Sequence, residues 1–171
     1  MPLDKGKKAL RDALRAGPDG ENNWRSIQAE VYGARMAEAS LIEGAADFFG
    51  HCRDHGVSVA IISHKTRYAV ADPGGVDLHE ASLDWMTAQG FFEKERFGID
   101  PSQVFFEASR ADKLARIAAL DCTHFIDDLE EVLLAPEFPK GVKRYLISAA
   151  ADAPGLISCW NWRDITDDIF G

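Results

Sequence analysis

The 171-residue sequence has no apolar run approaching the roughly 20 residues that a membrane-spanning helix needs. Its uncharged apolar runs are short, such as residues 57 to 63. The opening residues, MPLDKGKKALRDALRAG, are charged throughout and contain no apolar h-region for secretion. Basic charge is also scarce, with 19 Lys plus Arg against 28 Asp plus Glu and a net charge of -9. Sequence-independent nucleic-acid binding is disfavoured, because phosphates demand a basic face. There are only three cysteines, Cys52, Cys122 and Cys159, an odd count without a CxxC. No disulfide framework fits, and the expectation is reduced, mostly buried thiols in a cytoplasmic protein. Internal repeats, low-complexity stretches and a second domain are absent as well. What remains is a 46% apolar composition, enough for one globular domain and too apolar for a disordered chain.

The periodicity predicts helices over residues 4 to 16, from Asn22 or Asn23 to about Ala39, and over residues 42 to 55, with Gly56 as a C-terminal cap. The pattern then changes. Residues 57 to 63 are nearly all apolar and rich in β-branched side chains, the mark of a central parallel strand covered on both faces. Helix 77–89, strand 104–108, helix 111–120, strand 124–128, helix 129–134, strand 142–148, a short strand over 156–160 and helix 162–170 follow. Alternation of this kind predicts an α/β fold, a three-layer Rossmann-like parallel sheet flanked by helices. One domain covers 1–171, with a helical, cap-like segment over 1–41 and the α/β core over 42–171.

In open parallel sheets, sites form outside the carboxyl ends of the strands. The first predicted strand ends in Ser63, His64 and Lys65. After the second comes Lys113, on the opening turn of a helix, and the third ends in Asp127 and Asp128. Ser63 can hydrogen-bond a phosphate oxygen, with His64 and Lys65 at the mouth to contact substrate. Lys113 can neutralise phosphate charge or hold a carboxylate. Asp127 and Asp128 offer the oxygen ligands that Mg²⁺ prefers, and two adjacent carboxylates are best tolerated beside a cation. Each residue has a plainer reading as a cap, turn or solvated side chain. His51 and His55 lie i, i+4 on a helix without an evident third ligand for zinc. His79 reads as a cap, Cys122 and His124 as a weak nucleophile pair, and Trp160 and Trp162 as packing residues or an oligomer contact.

The order Ser, Lys, then Asp-Asp resembles the haloacid dehalogenase-like (HAD) superfamily over about residues 42 to 150. Val59-Ala-Ile-Ile-Ser63 looks like that family's second motif, whose hydroxyl binds phosphate. Lys113 looks like the third-motif lysine, and Phe125-Ile-Asp-Asp128 like the fourth motif, whose acids hold Mg²⁺. The resemblance implies a phosphohydrolase lineage acting on a small phosphorylated metabolite, and it places residues 21 to 41 as a helical insertion. A receiver domain uses similar residues in a different order and is rejected.

The resemblance also implies a first strand ending in Asp-x-Asp, whose first acid is the nucleophile. No segment supplies it: Asp4 and Asp19 follow no strand, and Asp164, Asp167 and Asp168 lie in the last predicted helix. The expectation is therefore a phosphate- and Mg²⁺-binding scaffold with little or no turnover of its own. The alternatives are a regulatory pseudoenzyme and an active phosphomonoesterase whose nucleophile strand lies outside this chain. The sheet would then close by direct pairing of its two inner strands, by residues 156 to 160, or by a second copy or partner chain.

Overall fold

A computed structural model describes residues 7–72, 75–147 and 154–171. The helical opening comprises α1 (Lys7–Arg15) and α2 (Gly20–Ala29), followed by a π-helical turn at Glu30–Ala34 and a 3-10 turn at Met36–Glu38. The second helix starts earlier than predicted. Asp19, in the left-handed region at φ 56, precedes it, and Asn22 and Asn23 lie inside the first turn, where their amides bond the Asp19 side chain and the Pro18 carbonyl. Glycine is required at its first position, because a Cβ on Gly20 would collide with the Leu14 and Arg15 carbonyls. The π-helical turn ends this helix near Ala34 instead of Ala39, and leaves Val31 exposed.

From residue 45 helices and strands alternate as the sequence predicts: α3 (Ala45–Asp54), β1 (Ile61–His64), α4 (Leu78–Ala88), β2 (Val104–Glu107), α5 (Arg110–Ala119), β3 (His124–Asp127), α6 (Glu130–Leu133), β4 (Lys143–Ile147), β5 (Ile157–Cys159) and α7 (Trp162–Phe170). Caps fix several boundaries. Asp77 accepts from the His79 and Glu80 amides at the start of α4, Ser109 from Asp112 at α5, and Asn161 from Asp164 at α7. The end of the predicted fourth strand, Ser148, lies outside the described residues.

The strands are parallel, but they form two sheets. One pairs β1 with β2, aligning Ile62 with Phe105 and His64 with Glu107. The other has the order β3-β4-β5, aligning Asp127 with Leu146 and Ile147 with Cys159. This corrects two expectations. The strand over residues 57 to 63 is not central: β1 begins at Ile61 and, among the described residues, is paired on one edge only. Residues 156 to 160 do not close the sheet, since β5 adds to the outer edge of β4. Nor do β1 and β3 pair with each other.

Side-chain packing nevertheless joins the two sheets. On one face, Ile62 of β1, Phe125 of β3 and Leu146 of β4 pack with Leu114 and Ile117 of α5 and Val132 and Leu133 of α6. On the other, Tyr145 of β4 and Cys159 of β5 pack with Phe48 and Cys52 of α3 and Ile165 of α7, while Val59 and Ile126 lie against the same cluster. Alternation along each strand sends successive side chains to opposite faces, which is why both helical layers are fed from the same short strands. A third cluster, of Met86, Phe91, Phe97 and Ile99, carries α4 and the loop after it against Ile61 and Val104. The fold is mixed α/β, with small parallel sheets flanked by helices, compatible with the Rossmann-like class.

Ile117 is fully buried between the sheets and α5, whereas Trp160 is 73% exposed. Ile117→Ala is expected to cost about 2–5 kcal/mol of unfolding free energy, and Trp160→Ala less than about 0.5 kcal/mol. Urea titrations with unchanged slopes measure both; equal effects would show that the core is not where the packing puts it.

Candidate functional site

The first turn of α5 starts three residues after the end of β2, and Ser109 fixes it by accepting the Asp112 amide at 3.1 Å. Lys113, one residue further, is carried inward. Its ammonium donates to Asp127 Oδ2 at 2.6 Å, with Lys113 7% and Asp127 8% exposed. Lys113 therefore bridges the carboxyl end of β2 to the carboxyl end of β3. Because β1 is in register with β2, its last residues, Ser63 and His64, face the same rim.

Asp127 is held on both oxygens. Oδ2 takes the Lys113 ammonium, and Oδ1 accepts the Leu129 amide at 2.9 Å. That second bond makes Asp127 the capping side chain of the turn into α6. Burial raises the Asp127 carboxyl above its ordinary value, and the ammonium and the amide offset this only in part. The Lys113 Nζ also lies 5.4 Å from the Phe125 ring centroid, so the charge sits over an aromatic face. Asp128 is exposed on the same corner.

The residues after β1 form a second polar group. The His64 imidazole Nε2 lies 3.2 Å from the Ala108 carbonyl. Lys65 donates to Ser82 Oγ on α4 at 2.6 Å and lies 4.9 Å from the Tyr32 ring centroid. His79 bonds the Lys65 carbonyl through Nε2 at 2.9 Å and stacks on Phe106 with centroids 4.4 Å apart. His79 is thus more than a cap: it props the β1 exit from the α4 side. Tyr32, His79 and Ser82 were not singled out for this role, since no motif joins segments so distant; only the inward helical spacing of Leu78, Ser82 and Met86 places α4 against the sheet. Lys65 is drawn toward α4 and the helical opening, and Lys113 toward β3. The direct contact among the predicted site residues is Lys113 with Asp127; no hydrogen bond among the described residues ties Ser63 to either.

Other candidates resolve differently. His51 and His55 stack against Phe170 of α7, with centroids 5.7 and 5.0 Å away, as packing groups. No group of three or more His, Cys, Asp or Glu side chains able to hold a metal occurs among the described residues. Cys52 is buried and its thiol is pushed up to about 11, and burial likewise raises Cys122 and Cys159. Burial of this kind disfavours the thiolate, the reactive form. Burial and then the nearby Lys143 lower His124, whose Nδ1 lies 2.9 Å from Thr123 Oγ1, so it is not partnered to Cys122. A shallow depression lined by Glu107, Asp112, Ala115, Arg116 and Ala119 follows α5 beside β2 and shares no residue with the Lys113–Asp127 pair. No helix among the described residues is long and apolar enough to cross a membrane.

No protein-family model, curated protein or solved structure matches this chain.

Removing one partner of a buried ion pair strands the other. Lys113→Met is expected to destabilise by about 3–5 kcal/mol, and Lys113→Met with Asp127→Leu to recover most of that loss. Chemical denaturation of both variants tests this; a double variant as unstable as the single one would show that the charges contribute nothing as a pair. The raised Asp127 carboxyl has a definite pH consequence. Between the unfolded value of about 3.9 and the higher folded value, the unfolded state has released a proton that the folded state keeps. The stability of the native chain should thus fall, relative to Asp127→Asn, as pH rises through that window. Parallel denaturation curves from pH 3.5 to 7 give the sign, and a rising difference would reverse the assignment.

Proposed function

We propose that this chain is a HAD-like phosphohydrolase scaffold that binds a small phosphorylated metabolite together with Mg²⁺ and turns it over weakly or not at all. The observation that carries the reading is the buried Lys113–Asp127 contact, which brings two widely separated motif residues together at the carboxyl rim. In this reading Ser63 bonds a phosphate oxygen, His64 and Lys65 contact the rest of the substrate, and Lys113 balances phosphate charge. Asp127 and Asp128 would hold the ion.

The donor set fits Mg²⁺ rather than zinc. Magnesium is commonly held by one or two carboxylates and completes its octahedron with water and substrate phosphate oxygens, so two adjacent acids suffice. When bound, the ion supplies charge neutralisation at the phosphoryl oxygens. Asp128 offers the accessible carboxylate, while Asp127 meets the ion only by loosening its bond to Lys113. Lys113 would then be available to balance phosphate charge.

Turnover by a covalent route requires a carboxylate free to attack phosphorus. Both Asp127 oxygens are engaged, by Lys113 and by the Leu129 amide. In this reading the rim would position a phosphate without cleaving it.

Calorimetric titration with inorganic phosphate, with and without Mg²⁺, tests the binding. Phosphate is expected to bind only in the presence of Mg²⁺. Ser63→Ala should weaken it by about tenfold, the equivalent of one hydrogen bond to a charged group, and Asp127→Asn should remove the Mg²⁺ dependence. Hydrolysis of p-nitrophenyl phosphate should stay at background. Absence of phosphate binding would overturn the scaffold reading, and robust hydrolysis lost in Asp127→Asn would overturn the non-catalytic one.

A further inference from the structure

The two sheets present facing edges. Strand β1 is bonded to β2 on one side and β3 to β4 on one side, and neither has a strand partner on the other among the described residues. In a parallel ladder, alternate residues send their N–H and C=O groups to opposite sides, so Ile61–His64 and His124–Asp127 each keep a row of backbone donors and acceptors toward the slot. Helices cover the slot on both faces. Ile62 and Phe125 belong to the core cluster built with α5 and α6, and Val59 and Ile126 pack against the cluster built with α3 and α7. The one buried side-chain atom without a hydrogen-bond partner among the described residues, Trp162 Nε1, belongs to the second of these layers.

We propose that this slot takes up an extended apolar segment of another polypeptide as a strand parallel to both β1 and β3, joining the two sheets into one of six strands. Two opposed rows of backbone donors and acceptors select an extended peptide over a helix or a small molecule, since only a strand satisfies both rows at once. The direction follows from Lys113, which sets the carboxyl ends of both flanking strands at one rim. The composition follows from the two helical layers: a strand covered on both faces is apolar throughout, of the Val, Ile and Leu kind. The segment does not come from a second copy of this chain. The β-branched runs of the described residues already stand in the two sheets, and the exposed Tyr68 and Val70, on either side of the buried Ala69, lie between the Arg67–Asp77 ion pair and the turn at Asp72. The inference rests on backbone pairing and needs neither phosphate nor Mg²⁺.

The test is amide hydrogen exchange of the whole chain, followed by mass spectrometry. The probe is a pool of seven-residue peptides with Val, Ile, Leu, Phe or Thr at the five central positions and lysine at both ends. The control pool carries N-methyl groups at alternate central residues. The first pool should slow exchange by about tenfold or more in peptides covering both 61–64 and 124–127, and the N-methylated pool should not. Protection of only one strand, equal protection by both pools, or no protection would overturn the proposal. So would slow exchange at both strands without added peptide, whether sedimentation shows a monomer, meaning that the edges pair internally, or a dimer, meaning that a second copy fills the slot.

Discussion

A single buried ammonium–carboxylate contact, between Lys113 and Asp127, links parts of the chain that backbone hydrogen bonding leaves separate. Burying two charges costs several kcal/mol each in desolvation, and their attraction compensates only with good geometry and further hydrogen bonds. Both conditions are met at Asp127, where a 2.6 Å contact to the lysine and a 2.9 Å bond from the Leu129 amide use both oxygens. The consequence is positional. The start of α5 cannot slide along the end of β3, so the exits of β2 and β3 stay at one level. Because β1 is in register with β2, the exit of β1 is fixed as well.

The contact matters because the sheets are otherwise held by side chains alone. Backbone ladders within each sheet are short, three to five residues per strand. Short strands gain little from pairing unless a hydrophobic face is covered. Here both faces are covered, and Ile117 and Leu133, fully buried, hold the two sheets against the same helices. Apolar burial is non-directional. It brings β1 and β3 into one core without dictating that they bond to each other, so a core can be continuous where the sheet is not.

This separation explains what the sequence could and could not disclose. The periodic segments were legible because each records a local rule. Residues 162 to 170 match α7 (Trp162–Phe170), and the run at 124 matches β3, since helical spacing and β-branched runs are properties of neighbours in the chain. The Lys113–Asp127 contact was legible as an order of residue types at strand exits. The partition into two sheets was not, because pairing is a relation between distant segments, and an apolar run such as residues 57 to 63 reads as central whether or not both edges are satisfied. The same holds for the cluster of Tyr32, Lys65, His79 and Ser82. It spans the helical opening, the β1 exit and α4; Lys65 reads from the sequence as a residue of the site mouth and His79 as a cap, but nothing local joins them to Tyr32 and Ser82. The second helix misled for another reason: Asn22 and Asn23 carry cap-forming side chains, but a left-handed Asp19 moved the start upstream and turned both amides back onto the preceding turn.

The electrostatics of the rim separate holding from cutting. A carboxylate that anchors a lysine and caps a helix is stabilised by the same two hydrogen bonds that remove its lone pairs from reaction. If Asp127 turned to attack a phosphoryl group, it would leave Lys113 buried without its partner and the amide at the head of α6 unpaired. The cost would fall on the fold as much as on the reaction. Asp128 is exposed on the turn into α6. The thiols offer no substitute, since burial raises all three. On the proposed reading, the rim is therefore better suited to holding a phosphate than to cutting it.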